Sequence, residues 1–149
     1  MKKIVLSLIS LSIITCLSCN KKKDQKVTSE VGKNLKFEIF SHAVINPPSF
    51  VGVVNALNPV SNKYIDILVN NESKGTQATF DENSFLGGKI KIESSELSKV
   101  LTLAYIINSE VNTSFSVFMY RDDSLLKIET IPVDSGIDTR GTFQILSKD

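Results

Sequence analysis

From Leu35 onward, apolar and polar residues alternate in short runs. Phe37 and Ile39 share one face, with Lys36 and Glu38 on the other. Ile65, Ile67 and Val69 repeat the pattern, as do Ile90 and Ile92 within Lys89-Ile90-Lys91-Ile92-Glu93. Longer runs follow: Leu101, Leu103, Tyr105 and Ile107; Phe115, Val117 and Met119; Leu126, Ile128 and Thr130; Phe143 and Ile145. A period of two is the signature of β-strands, because successive side chains point to opposite faces. β-branched and aromatic residues fill these runs, as a pleated surface favours.

Turn-forming residues separate the runs: Asn46-Pro47-Pro48, Asn58-Pro59, Asn70-Asn71, Gly87-Gly88, Arg121-Asp122-Asp123 and Asp134-Ser135-Gly136. Seven or eight short strands at this spacing predict an all-β fold, a sandwich or a barrel, and the small antiparallel β-sandwich is the one expected here. The hairpin signal is clearest where residues 115–120 and 125–133 flank Arg-Asp-Asp-Ser. Ser94-Ser95-Glu96-Leu97-Ser98 reads as a single helical turn, and no segment carries a long amphipathic helix.

The first 34 residues follow a different pattern. Met1-Lys2-Lys3 is a short basic start, followed by an apolar run from Ile4 to Cys16 broken only by Ser7, Ser10, Ser12 and Thr15. The run is too short to span a bilayer and fits an export signal over residues 1–18. Leu17-Ser18-Cys19 and an abrupt switch to Asn20-Lys21-Lys22-Lys23-Asp24 resemble a bacterial lipobox. In lipoproteins of that kind the cysteine becomes an acylated N-terminus, here Cys19. Cys16, preceded by Thr15, is the second candidate and stands where leucine is usual. Asn20 after the modified cysteine resembles an outer-membrane sorting pattern, which implies a lipid-anchored protein facing the periplasm. Residues 19–34 then form a flexible tether, because after Cys19 only Val27 and Val31 are apolar. The sandwich domain is assigned to residues 35–149.

Charge divides the chain in the same place. Residues 1–33 hold seven lysines and two acids, leaving 17 − 7 = 10 basic and 16 − 2 = 14 acidic groups beyond them. A body of net charge −4 has no electrostatic reason to bind nucleic acid, whereas the lysine-rich segment beside Cys19 suits anionic headgroups. The bilayer is therefore the first expected partner, through acylated Cys19.

The chemistry available to the domain is sparse. Both cysteines, Cys16 and Cys19, precede it, so it has no disulfide, thiolate nucleophile or cysteine metal ligand. His42 is the sole histidine and has no ligand-spaced cluster around it. No Gly-x-Ser-x-Gly elbow occurs, and Gly87-Gly88 is not followed by the lysine of a phosphate loop. Asp122, Asp123, Asp134 and Asp138 are the densest acidic group, but their spacing is not that of an EF-hand and they read as solvated turns. No catalytic residue, metal or cofactor is expected. Phe40, Phe118 and Tyr120 fall opposite the regular apolar face of their strands, where they cover a second buried face or mark an interaction surface.

Three segments, in order, resemble the TssJ family of small outer-membrane lipoproteins in type VI secretion systems. Ile45-Asn46-Pro47-Pro48 leads into Phe50-Val51-Gly52-Val53-Val54-Asn55-Ala56-Leu57, similar to the family's Asn-Pro segment and valine-rich strand. Phe85-Leu86-Gly87 resembles its Leu-Leu-Gly, and the run from Ser114 through Tyr120-Arg121-Asp122 resembles its late strand. The chain departs from the family where Val54 or Asn55 and Ala56 replace an arginine and a tyrosine. No helical insertion follows that strand, since residues 63–69 read as β. Leu126 or Ile128 stands near the family's late tryptophan. The resemblance implies a transthyretin-like sandwich and a scaffold or docking role, binding the periplasmic domain of a TssM-like inner-membrane protein. It assigns the contact to the loop between the first two strands: Ser41, His42, Ala43, Val44, Ile45, Asn46, Pro47, Pro48 and Ser49. A different class of function also fits an acidic anchored body: a lipid-anchored inhibitor or immunity protein that occludes a basic secreted or periplasmic enzyme.

Overall fold

The computed structural model describes residues 32–43 and 48–148. The expected export signal, Cys16, Cys19 and the expected tether as far as Val31 lie outside the described residues, as do Val44, Ile45, Asn46 and Pro47.

Eleven strands form two antiparallel sheets: β1 (Leu35–Ser41), β2 (Ser49–Leu57), β3 (Tyr64–Ile65), β4 (Ile67–Val69), β5 (Glu72–Ser73), β6 (Gln77–Asp81), β7 (Lys89–Ser94), β8 (Val100–Asn108), β9 (Thr113–Arg121), β10 (Ser124–Val133) and β11 (Thr139–Leu146). One sheet has the order β10-β9-β1-β7-β4-β5; the other has β11-β8-β2, with β3 and β6 both paired to β2. The expected sandwich is present. Its inner faces are the alternating residues read from the sequence. Leu35, Phe37, Ile39, Ile67, Ile90, Ile92, Phe115 and Val117 face Phe50, Val54, Ala56, Leu101, Leu103 and Ile107, all buried. Each such side chain taken from water contributes about 1.5–3 kcal/mol, which is how a domain with no disulfide holds together.

Three two-residue turns fix registers. Asn70-Asn71, Gly87-Gly88 and Asp122-Asp123 all have positive φ at both positions. That is the type I′ geometry whose twist matches antiparallel strands. Asp122-Asp123 closes the β9–β10 hairpin, with Arg121 opposite Ser124, where the sequence places it.

Several local expectations change. Residues 63–69 are not one strand: β3 pairs with β2 and β4 with β7, so the chain crosses between sheets at Asp66. Ile65 and Ile67 are both buried, in different layers. Residues 94–98 form no helical turn. Ser95 N–H donates to Asp66 O instead, while Ser94 Oγ bonds Glu96 O and Ser98 Oγ, so the local donors are used elsewhere. The one helical turn among the described residues is a 3₁₀ turn at Glu82–Ser84, capped by Asp81 accepting from Asn83 N–H. On β10 a bulge between Leu125 and Lys127 shifts the pattern, so Ile128 points outward and Ile131 and Val133 fill the core. Pro132 sits on this edge strand, where a missing N–H breaks no ladder bond with a neighbour.

Candidate functional site

β1 carries the chain from one end of the sandwich to the other. Gly32 and Lys33 lie at the entry end, where Lys33 and Ser98 exchange backbone hydrogen bonds of 2.9 Å. Ser41 lies at the far end, about 23 Å away for seven extended residues. The loop that the sequence singles out, residues 41–49, is therefore bounded by Ser41 and Ser49 at the end remote from Gly32.

Four connections meet there and are tied together. Ser41 N–H donates to Gly88 O (2.8 Å) and His42 N–H to Ser114 O (3.0 Å). Phe50 N–H donates to Glu82 Oε2 (3.1 Å). Gly136 N–H reaches Ser109 O (2.8 Å), Ser135 Oγ donates to Glu110 O (2.6 Å), and Asn108 Nδ2 donates to Asp138 Oδ1 (2.9 Å). Beneath these connections Phe50, Phe85 and Phe115 pack against one another with ring centroids 5.2, 5.4 and 5.8 Å apart. Each ring comes from a different one of the three family-like segments, which are far apart in sequence. Phe80 stacks on Phe50 at 5.6 Å and extends the cluster.

Of the nine loop residues, Ser41, His42, Ala43, Pro48 and Ser49 are described. His42 is exposed, and its Nε2 lies 2.8 Å from Ser116 Oγ. Among the described residues no carboxylate orients the other ring nitrogen, so this is a histidine–hydroxyl pair and not a triad. Pro48 is buried, and Ser49 is exposed opposite Asn108.

Three apolar side chains stand out at this end: Leu86, quoted above only within a family-like segment, and Val111 and Ile137, which the sequence reading missed, exposed by 67%, 47% and 58%. Val111 and Ile137 are lone apolar residues among turn formers, in Ser109-Glu110-Val111-Asn112 and Gly136-Ile137-Asp138. That isolation is the signal by which they could be found. An apolar side chain in a turn has no face of its own to fill.

The outer face of the six-stranded sheet continues from this end. Phe40 and Phe118 meet edge to face at 5.1 Å, half-buried, and Ile128 lies opposite Phe118. Beside them Lys89 Nζ contacts Glu38 at 3.0 Å and the Phe40 ring at 5.0 Å, while Lys36 Nζ lies 4.4 Å from the Tyr120 ring centre. Burial pushes the Glu38 carboxyl up, but the hydrogen bond and charge of Lys89, with Lys36 and the Tyr120 hydroxyl, outweigh it and hold the group below its ordinary value. Burial first and Glu38 second push the Tyr120 phenol up. The aromatic residues expected to mark a second face thus cover it together with a charge network.

The acidic residues do not converge. Asp122 pairs with Lys33 (2.7 Å) and accepts from Asn34 N–H at the entry end, whereas Asp138 lies at the far end beside Arg140. Among the described residues no group of three His, Cys, Asp or Glu side chains is placed to hold a metal ion.

Neither a family model nor a curated relative matches the sequence. Three solved structures share the fold. A DUF4425-family protein from Bacteroides ovatus superposes with a TM-score of 0.59 at 15% identity, covering 79% of this chain and 98% of that one. The calcium-bound form of a protein from Parabacteroides distasonis gives 0.61 at 10%, covering 76% and 93%. A domain of unknown function, also DUF4425, from Bacteroides vulgatus gives 0.57 at 13%, covering 80% and 98%. At these identities the likeness is one of fold, and it spans nearly the whole of each neighbour.

Proposed function

We propose that this chain is a lipid-anchored, non-catalytic docking protein, held at the outer membrane through Cys19 and presenting its remote loop end to a periplasmic partner. The specific role it fits is a scaffold subunit of a type VI secretion membrane complex, bound to the periplasmic domain of a TssM-like protein. One observation carries the reading. The three family-like segments converge on a single aromatic cluster, Phe50–Phe85–Phe115, at the end of the sandwich where Ser41 and Ser49 bound the loop the resemblance assigns to partner contact. That cluster lies at the end opposite the tether, where an anchored domain is free to meet a partner. Leu86, Val111 and Ile137 supply exposed apolar surface around the loop, the kind of contact that a docking site buries. The calcium of the Parabacteroides neighbour is not carried over, because the carboxylates described here are dispersed.

The test is complementation. A deletion strain lacking this gene should lose type VI secretion, and the wild-type chain should restore it. A chain with Leu86→Asp and Ile137→Asp should reach the membrane at normal level yet fail to restore secretion or to co-purify the partner from detergent-solubilised cells. Undiminished secretion in the deletion strain sinks the scaffold reading. An inhibitor role, favoured by the net charge of −4 beyond residue 33, would then show as sensitivity of that strain to a basic secreted enzyme.

A further inference from the structure

We propose that the entry end of the sandwich is a membrane-seating surface, with Val60 and Leu97 dipping into the headgroup boundary and Lys63 and Lys99 meeting anionic phosphates. The inference rests on the anchored reading above and adds to it an orientation.

The geometry begins at Gly32, the first described residue after the tether. It is buried between two loop tips: a Cβ there would lie 2.8 Å from Pro59 Cγ and 2.9 Å from Leu97 Cβ. The point where the chain leaves for its anchor is thus framed by Pro59 and Leu97. Val60, next to Pro59, is 78% exposed, the most exposed large apolar side chain of the described residues, and Leu97 is 48% exposed. Both sit among turn formers, in Asn58-Pro59-Val60-Ser61 and Ser95-Glu96-Leu97-Ser98.

The tip loops are held rigidly at this end. Asn58 Oδ1 accepts from Val60 N–H (2.9 Å) and Ser61 N–H (3.0 Å), and Asn58 N–H donates to Lys63 O. Lys99 N–H donates to Leu57 O, and its ammonium bonds Asn62 on the tip loop. Lys63 and Lys99 therefore flank Val60, with Glu96 the acid on the neighbouring tip. Asp122 and Asp123, in the β9–β10 turn at this end, pair with Lys33 (2.7 Å) and Lys36 (3.4 Å).

Chain length makes the bilayer the occupant. Cys19 and Gly32 are 32 − 19 = 13 residues apart. That segment spans at most about 45 Å when fully extended. It also carries Lys21, Lys22, Lys23 and Lys26, which favour an anionic surface. Tethering at that distance raises the effective concentration of the surface to the millimolar range, so a contact too weak to hold a free domain suffices for an anchored one. Seated this way, the domain turns residues 41–49 away from the membrane.

The chain has no tryptophan, so a single introduced one reports depth. The acylated mature protein carrying Val60→Trp, reconstituted in vesicles of three parts phosphatidylcholine to one of phosphatidylglycerol, should show a blue-shifted emission quenched by brominated acyl chains. The same protein carrying Ile137→Trp, at the far end, should show neither. Lys63→Glu with Lys99→Glu should weaken the Val60→Trp quenching, and so should omission of phosphatidylglycerol. If the protein floats with the vesicles but the two tryptophans are quenched alike, the seating is wrong and the anchor stands. If mass spectrometry finds no acyl group and the protein does not float, both fall together.

Discussion

Gly52 of β2 lies directly opposite Phe80 of β6, and the phenyl ring occupies the space that a side chain at residue 52 would need. A Cβ there would meet Phe80 Cζ at 2.2 Å and both Cε atoms within 2.7 Å. Gly141 of β11 has the same relationship to Tyr105 of β8, its Cβ position lying 2.5 Å from the phenol oxygen. In each pair a ring folds over a bare backbone, which fills the gap a glycine leaves in a strand.

The two pairs differ in how far the ring can give way. Phe80 is buried against Phe50 in the closed core, whereas Tyr105 is half-buried at the open β10–β11 side, stacked on Phe143. Gly52→Ala should therefore cost about 2–3 kcal/mol, the range for overpacking a core. Gly141→Ala should cost less than about 1 kcal/mol, because the phenol end can swing toward solvent. Urea titration at pH 7 checks the order. Equal costs would mean that the two rings are equally confined.

The Asp122-Asp123 turn makes opposite demands on its two residues. Both have positive φ, 47° and 60°, a region that costs an L-residue with a side chain about 1–2 kcal/mol. Asp122 offsets this with Lys33 and Asn34 N–H, and its carboxyl is held below its ordinary value, by the Lys33 hydrogen bond first. Asp123 is 91% exposed and pairs with Lys36 at 3.4 Å. Asp123→Gly should raise stability by about 0.5–1 kcal/mol, since glycine is the preferred second residue of a type I′ turn. Asp122→Ala should lower it, because the substitution keeps the positive φ and loses the Lys33 and Asn34 contacts. Thermal melts of the two variants, moving in opposite directions, check the assignment of roles.

How much of this was legible follows from which interactions are local. Strand alternation and the Asp-Asp hairpin depend on residues within a few positions, and the sequence carries them. The bulge at Leu126 does not show, because it inserts one residue into an otherwise regular run and inverts everything beyond it. Asp66 reads as part of one strand because nothing local reveals that Ile65 and Ile67 enter different sheets. The convergence of Phe50, Phe85 and Phe115 is a product of topology. The sequence supplied the three segments as a resemblance, and only the fold shows that their rings touch. Tip residues such as Val60 and Ile137 were visible as lone apolar positions but carry no meaning until the ends of the sandwich are known.

Glu38 gives the domain a dependence on pH whose sign is fixed by its partners. Its folded value lies below the ordinary 4.5, because Lys89, Lys36 and Tyr120 outweigh burial. A depressed carboxylate contributes stability that is fully present above its unfolded pKa and lost as pH falls through the folded one. The urea midpoint should thus fall on going from pH 6 to below pH 4. Asp122 and Glu72, also depressed, act in the same window. Glu38→Gln should cost about 0.5–1 kcal/mol at pH 7, the scale of a partly exposed ion pair. It should flatten the acid limb only in part, and a limb as steep as wild type would remove Glu38 from the account.

The register of β10 yields the sharpest contrast available on one strand. Period-two reading places Leu126, Ile128 and Thr130 on a shared apolar face, whereas the bulge turns Ile128 outward at 51% exposure and buries Ile131 at 6%. A one-residue slip exchanges core and solvent faces wholesale, so the two registers make opposite forecasts. Ile131→Ser removes a buried side chain and leaves a hydroxyl among Phe115 and its neighbours. It should cost about 3 kcal/mol. Ile128→Ser changes a surface position and should stay within about 0.5 kcal/mol of wild type. Equilibrium unfolding of both variants decides the matter. A large loss at Ile128 with little at Ile131 would place the bulge elsewhere, and with it the outward strip of Phe118 and Ile128 beside the charge network of Glu38.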